Sequence, residues 1–327
     1  MKKSEGNNHL KTVLLLGIFF TCQLGCSENS RQDHKQDHNL ASRLNIVTTT
    51  TQITDLVNQL AGDRCNIRSM MGPGVDPHLY KPTAHDIMSL STADAIIYHG
   101  LKFEGKLASA FNQAALTKDK TYPIHSPIDP SFLLASDEKD GHFDPHIWFD
   151  PKIWTQCLMG LSRHLAVLMP DDSALIEARA KEISRQYKEI QEFASTALTK
   201  IPLNKRKLIT SHDAFQYFGN FFHLEVIALQ GISTATEAGL GDRANLVDFI
   251  KNHNIPCIFV ESSVNPKAIQ EIAREAKVKI GKPLFSDALG SSQDTVTGPN
   301  GQEYSLSTWP GMMIYNTEAI VNGLNPN

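Results

Sequence analysis

Residues 171–200 read DDSALIEARAKEISRQYKEIQEFASTALTK and contain neither Gly nor Pro. Apolar residues recur here at steps of three and four, as on the buried face of an α-helix. These residues are Leu175, Ile176, Ala180, Ile183, Tyr187, Ile190, Phe193 and Leu198. Asp171 or Asp172 can cap the start of the helix, and Pro202 follows its end. A helix of roughly 27 residues would be about 40 Å long. The segment therefore predicts one continuous helix that can run across two lobes.

On both sides of this helix, short β-rich runs alternate with amphipathic helical segments, which is typical of parallel sheets covered by helices. Strands are predicted near residues 46–50, 67–71 and 95–98 before the helix, and near 207–210, 226–229 and 257–260 after it. Further helices are predicted near 243–253, 266–276 and 316–321. We therefore expect an α/β fold of two lobes, each a parallel sheet flanked by helices, joined by one long linking helix. The predicted domains are a first lobe at 44–168, the linking helix at 169–200 and a second lobe at 201–327.

The N-terminus has the pattern of a secretory signal peptide. Lys2 and Lys3 precede an apolar run at residues 13–20, which is too short to span a bilayer as a mature helix. Gly25 stands directly before Cys26, the arrangement that lipoprotein signal peptidase needs before lipid is attached to the thiol. We predict a signal peptide at 1–25, lipidation of Cys26 and a polar, flexible tether at 26–43. The alternative is ordinary cleavage nearby, which would give a soluble secreted protein.

Charge and cysteine content exclude several classes of protein. The chain has 31 basic and 35 acidic residues; without the three lysines and one glutamate of residues 1–25, it keeps 28 and 34. A nucleic-acid partner is not expected for so acidic a chain. Besides Cys26, the mature chain has Cys65, Cys157 and Cys257, an odd number without CxxC spacing. This predicts neither a disulfide framework nor a thiolate zinc site, but three small core residues.

Four loops each present one good metal ligand. Two of them contain the tripeptide Asp-Pro-His and end in His78 and His146, and the other two present His212 and Asp287. Proline stiffens a turn and extends the residue before it, so each imidazole would have little freedom left to lose on binding. Two ligands fall in each predicted lobe, which is the distribution needed to clamp one ion between lobes. We predict that these four side chains converge on a single metal site.

Three imidazoles and one carboxylate restrict the class of ion. Imidazole nitrogen is a borderline-soft ligand and carboxylate oxygen a hard one, so the set suits zinc, manganese or ferrous iron. Calcium and magnesium prefer a shell made of oxygen atoms. Zinc binds nitrogen ligands more tightly than manganese does at nearly any such site, and cells also select by metal availability. The sequence therefore leaves the physiological ion open.

Six motifs together are highly specific. They are GPGVDPHLY at 72–80, FDPHIWFD at 143–150, SHDAFQYF at 211–218, LQGIST at 229–234, FVESS at 259–263 and LFSDA at 284–288. With these motifs the chain, from about Leu44 to its C-terminus, resembles the TroA-like group, the solute-binding lipoproteins of zinc and manganese ABC importers. The resemblance implies a periplasmic-type fold with a rigid linking helix that restricts closure of the lobes. It also implies one site with ligands at His78, His146, His212 and Asp287, and delivery of the ion to an ABC permease and its ATPase.

The resemblance also has implications for which metal ion is bound and for where the protein is located. Manganese-selective members tend to carry Glu where this chain has His212, which favours zinc or a broad zinc, manganese and iron binder. Zinc-dedicated members usually have a long loop rich in His and Asp before the second histidine, whereas this chain has only residues 136–142 there. We expect a monomer that is anchored to the membrane by lipid at Cys26 and faces the periplasm or the cell surface.

Two further residues could orient ligands. His99 follows the third predicted strand and Glu261 follows a later one, so each could hydrogen-bond to a ligand, although a purely structural role is the alternative for both. His142 lies four residues before His146, but Pro145 intervenes and prevents a helical pair. We therefore interpret His142 as loop surface.

An enzyme and an adhesin are the competing functions. A zinc hydrolase needs an open coordination position and a nearby base, whereas four protein ligands would close the shell. The sequence also lacks HExxH, GxSxG and a glycine-rich phosphate loop. We therefore expect a binding protein and no enzyme. Adhesion with a structural metal site stays open as an alternative or a second activity.

Overall fold

The computed structural model describes residues 43–113, 118–136 and 142–325. The predicted signal peptide, Cys26 and the tether up to residue 42 lie outside these ranges. Within the described ranges, no helix combines the length and the apolar character needed to cross a membrane.

The first lobe is a four-stranded parallel sheet covered by helices. Its strands follow the order β2-β1-β3-β4. Ile46 on the central strand is fully buried and stands opposite Ile67 and Ala95 on its two neighbours. The strands are β1 (Asn45–Thr48), β2 (Asn66–Ser69), β3 (Ala95–Tyr98) and β4 (Thr121–Pro123). The helices are α1 (Thr51–Ala61), α2 (Ala84–Thr92), α3 (Leu107–Gln113) and α4 (Pro151–Leu168).

The linking helix is α5, Ser173–Leu198, whose 26 residues give a length of about 39 Å. It begins directly after Asp172, one of the two predicted caps, and is preceded by a single 3₁₀ turn at Pro170–Asp172. Asp172 occupies the N-cap position, yet its side chain makes no capping hydrogen bond. The period of apolar residues is confirmed, since Ile176, Ala180 and the later members of that series up to Leu198 form the buried face, with Phe193 only partly buried.

The second lobe contains parallel strand pairs β5–β6 and β7–β8, with β7 beside β5 because the Phe259 N–H donates to the Ile209 carbonyl at 2.9 Å. An antiparallel hairpin, β9–β10, follows. The strands are β5 (Lys207–Thr210), β6 (Glu225–Ala228), β7 (Cys257–Ile258), β8 (Lys279–Ile280), β9 (Thr295–Thr297) and β10 (Glu303–Ser305). The helices are α6 (Gln216–Phe222), α7 (Leu240–Asn252), α8 (Lys267–Ala276) and α9 (Trp309–Leu324).

The last helix is longer than the predicted 316–321. Pro310 is tolerated because it lies in the first turn, and the Thr308 hydroxyl caps that turn by accepting from the Gly311 N–H. On α5, the ring of Tyr187 lies 4.2 Å from that of Trp309 at the start of α9. The linking helix also packs against α1 of the first lobe. The fold is therefore α/β, with two lobes of sheets and helices and one long helix in contact with both. The exact domain boundaries at 168 and 200 stay a prediction.

Candidate metal site

The structure brings together all four predicted ligands. His78, His146, His212 and Asp287 each offer one ligand atom, and these atoms lie within 4.8 Å of one another. His146, His212 and Asp287 are buried, whereas His78 is half-buried. His78 and His146 come from the first lobe, and His212 and Asp287 from the second. The four loops therefore meet at one point between the lobes.

His146 is fixed by the aspartate of its own Asp-Pro-His turn. Oδ1 of Asp144 accepts the backbone N–H of His146 at 2.9 Å and its Nδ1–H at 2.7 Å. The turn is tied down further because Nε2–H of His99 donates to the Pro145 carbonyl at 2.6 Å. With Nδ1 engaged, Nε2 of His146 is the nitrogen left to face the cluster.

Glu261 does for His212 what Asp144 does for His146. Oε2 of Glu261 lies 2.5 Å from Nδ1 of His212, and both side chains are fully buried. The other carboxylate oxygen, Oε1, accepts the backbone N–H groups of Ser211 at 2.8 Å and of His212 at 3.0 Å. One carboxylate, three residues after β7, thus contacts both the backbone and the ring of His212.

His78 is held by its backbone and by an aromatic neighbour. Oδ1 of Asp76 accepts the His78 N–H at 2.9 Å, so both Asp-Pro-His turns use the same contact. The Phe103 ring packs edge-on against the His78 ring with centroids 5.0 Å apart. Gly105 passes beneath this loop with φ of +49°, and a Cβ there would lie 2.5 Å from the His78 carbonyl oxygen, so glycine is required.

Asp287 occupies the centre of the cluster. Its Oδ1 lies 3.4 Å from Nε2 of His146 and 3.2 Å from Nε2 of His212. Its Oδ2 accepts a hydrogen bond from the Ser263 hydroxyl at 3.3 Å. The side-chain amide of Asn316 on α9 pairs with both the N–H and the carbonyl of Phe285, at 2.9 and 2.7 Å. This pairing fixes the loop two residues before the carboxylate.

The protonation of the three imidazoles differs because their charged neighbours differ. Burial lowers the pKa of His78 to about 3. Burial also opposes the charge on His146, but Asp144 and then Asp287 outweigh it and raise the pKa to about 9. For His212, Asp287 and Glu261 likewise overcome burial and raise the pKa well above its ordinary value. Despite burial, the same imidazoles hold the pKa of Asp287 well below its ordinary value.

Besides Nδ1 of His212, which faces Glu261, four buried polar atoms of this cluster have no hydrogen-bond partner within the described part of the chain. They are Nε2 of His78, His146 and His212, and Oδ1 of Asp287. Unpartnered polar atoms are costly in a protein interior, and a cation at their common point would satisfy all four. Three nitrogens and one oxygen form a donor set that suits a divalent transition metal.

The other residues considered in the sequence, Glu261, His99 and His142, differ in whether they contact a candidate ligand. Glu261 contacts a candidate ligand directly, whereas His99 contacts the Pro145 backbone and packs 4.7 Å from Phe103. His142 lies outside the cluster and contacts Lys102. Asp144 was missed as an orienting residue, although the repeated Asp-Pro-His turn carried the signal.

The comparisons with known proteins agree with this geometry. The model of one family, zinc-uptake complex component A periplasmic, matches residues 46–323. The chain belongs to this family. It is 34% identical over 284 residues to the zinc-binding protein TroA of Treponema pallidum (strain Nichols), covering 85% of this chain and 88% of that protein. A solved structure of the periplasmic zinc-binding protein TroA superposes with a TM-score of 0.80 at 33% identity, covering 86% of this chain and 99% of that one.

Two further relatives of this zinc-uptake family member have names that point to another metal. The manganese-binding lipoprotein MntA of Bacillus subtilis (strain 168) is 33% identical over 287 residues, covering 86% of this chain and 90% of the relative. The manganese ABC transporter substrate-binding lipoprotein PsaA of Streptococcus pneumoniae is 26% identical over 320 residues, covering 96% and 98%. The family therefore includes proteins named for zinc and proteins named for manganese.

Proposed function

We propose that this protein is an extracytoplasmic, lipid-anchored solute-binding protein that captures one divalent transition-metal ion and delivers it to an ABC importer. The convergence of four ligand atoms from both lobes within 4.8 Å carries this proposal. The relatives support it, because their names describe zinc or manganese binding, lipoproteins and a substrate-binding component of an ABC transporter. The permease and ATPase of that importer are the partners, and the metal is the transported substrate.

In the proposed site, the ion takes Nε2 of His78, His146 and His212 and a carboxylate oxygen of Asp287. The support is that these nitrogens and Oδ1 of Asp287 are buried and have no partner in the described ranges. Asp144 and Glu261 hold the two buried imidazoles by their Nδ1 atoms, which directs the Nε2 lone pairs inward and increases their basicity. The ligands come from two lobes, 44–168 and 201–327, joined by the segment 169–200, so binding the ion draws the lobes together.

The site suits zinc, manganese or ferrous iron, and the chemistry of the donors does not select among them. Four protein ligands leave no coordination position for an activated water, which distinguishes this arrangement from a catalytic zinc site. The family members named above are described as binding and transport proteins, so transport is favoured over catalysis and over adhesion.

Titration of metal-stripped protein with Zn²⁺ or Mn²⁺ tests the site. We expect one ion per chain and a large loss of affinity in His146→Ala. His142→Ala is the matched control, because it removes an imidazole four residues away that lies outside the cluster. Equal losses in the two variants would refute the ligand assignment.

Deletion of the gene in the native host tests transport. A growth defect that added zinc or manganese relieves, and that the wild-type gene but not the His146→Ala gene restores, would support import. Lost attachment to surfaces with normal cellular metal content would instead support adhesion.

A further inference from the structure

The segment 231–240, which leads from β6 to α7, contains one buried residue. Among residues 231–240, Thr234 alone is buried, with 9% of its surface exposed, while its neighbours are exposed or half-exposed. Thr234 ends the motif LQGIST, for which the ligand chemistry provides no role. A single buried side chain in an otherwise exposed loop indicates a specific docking point.

Thr234 docks on the first lobe. Its hydroxyl donates to Oδ2 of Asp76 at 2.6 Å, across 158 positions of sequence. The second oxygen of the same carboxylate, Oδ1, accepts the backbone N–H of His78 at 2.9 Å. Asp76 therefore joins a loop of the second lobe to the turn that presents a ligand of the first lobe.

This contact lies where the cluster is nearest to solvent. His78 is the one ligand of the four that is only half-buried. A cleft of about 400 Å³ is lined by Asp76 and Thr234, together with Leu79 and Ser211, the sequence neighbours of His78 and His212. The hydrogen bond between Thr234 and Asp76 thus lies in the wall of a cleft that is also lined by the sequence neighbours of two ligands.

A second hydrogen bond between the lobes, from Trp309 to Asp55, differs from the Thr234 contact because both of its residues are buried. Oδ2 of Asp55 on α1 accepts the backbone N–H of Trp309 on α9 at 2.8 Å, and both residues are buried. A buried hydrogen bond is costly to break, whereas water can replace the partner of half-exposed Asp76 when its bond opens. The contact at Asp76 should therefore open more readily than the contact at Asp55.

We propose that Thr234 is a latch residue that controls release of the bound ion: its hydrogen bond to Asp76 keeps the His78 turn closed over the site and has to break before the ion leaves. This inference depends on the proposed metal site. The latch contributes little while the site is open, because the bond forms only after the lobes meet. It should therefore slow dissociation of the ion more than it changes association.

The test is the rate of zinc dissociation, measured by mixing Zn²⁺-loaded full-length protein with excess chromophoric chelator in a stopped-flow instrument. Thr234→Val keeps the shape of the side chain but loses the hydroxyl, and we expect dissociation to become roughly tenfold faster. Association should change by less than about twofold. Thr234→Ser restores a hydroxyl and should return dissociation close to the wild-type rate.

Thr236→Val is the matched control, because it makes the same substitution at an exposed position of the same loop. Thr234→Ala replaces Thr234→Val if the extra methyl beside the carboxylate impairs folding. Unchanged dissociation in Thr234→Val or Thr234→Ala, or an equal increase in Thr236→Val, would overturn the latch. Failure of the wild-type protein to bind Zn²⁺ would instead overturn the proposed function.

Discussion

Asp144→Asn is expected to change both the affinity for metal and the dependence of that affinity on pH. Asp144 does not belong to the four-residue cluster, but its Oδ1 lies 2.7 Å from Nδ1 of His146. Asparagine has the same shape and an amide oxygen that can still accept the N–H groups of His146. The variant therefore removes one negative charge and leaves the turn in place.

The magnitude follows from two opposing effects on His146. Loss of an orienting carboxylate weakens metal binding by about 10- to 100-fold. Against this, the pKa of His146 is about 9 in the wild-type protein, so at pH 7 metal must displace a proton, which weakens binding by about 100-fold. Asp144 is the largest of the charges that raise this pKa, so the variant largely escapes that competition. The two effects nearly cancel at pH 7, so the variant should bind metal about as tightly as the wild-type protein there. The full loss of affinity should appear only near pH 9.

The assay is a competitive titration with a chromophoric chelator at several values of pH between about 6.5 and 9. We expect the wild-type affinity to rise more steeply with pH than the variant affinity, by a factor of about ten per pH unit. Asp129→Asn is the matched control, since Asp129 also accepts the N–H two residues ahead, at 2.9 Å, but is exposed. Parallel pH profiles for wild type and Asp144→Asn would refute the reasoning.

Three other perturbations have defined outcomes. At pH 7 the raised pKa values of His146 and His212 keep both imidazoles protonated in the metal-free protein, so metal binding should release about two protons. Calorimetry in buffers of different ionisation enthalpy would count the released protons, and a release of none would contradict the pKa shifts. Glu261→Gln removes the charge beside His212 and should weaken binding about 10-fold or more at pH 9, as measured by the same chelator titration; an unchanged affinity would exclude an orienting role. Trp309→Phe deletes the indole N–H that donates to the Trp148 carbonyl at 2.8 Å and should lower the free energy of unfolding by about 2 kcal/mol in urea; a change below about 0.5 kcal/mol would show that this buried bond contributes little.

Much of the fold could be predicted from the sequence because its signals are local. The period of α5 is uninterrupted over 26 residues, so the linking helix needs no tertiary information. The strand ends were harder to predict. β7 ends at Ile258, two residues earlier than predicted; beyond it the Phe259 N–H still donates to the Ile209 carbonyl, and an isolated bridge joins Glu261 with Leu284. The hairpin β9–β10 was not predicted, since its strands have three residues each, which is too short for their polar–apolar–polar pattern to indicate a strand.

The candidate site shows the same division between local and distant information. Three ligand loops were visible in the sequence because Pro77, Pro145 and Pro283 mark their turns, whereas the His212 loop was visible because it follows a predicted strand. Two ligands in each predicted lobe then indicated that the four would converge. The Asp144 contact was also local, since it lies within one turn. The contacts of Glu261 with His212, and of Asp76 with Thr234, join residues 49 and 158 positions apart. Such pairs depend on how strands and lobes are arranged, which one sequence does not specify.

The most direct test of the central claim is a crystal structure of the zinc-loaded protein with anomalous diffraction at the zinc edge. One anomalous peak is expected between the lobes, about 2.0–2.1 Å from Nε2 of His78, His146 and His212 and about 2.0–2.2 Å from a carboxylate oxygen of Asp287. A principal peak at any other set of residues, or a shell in which water replaces one of these side chains, would contradict the four-ligand site.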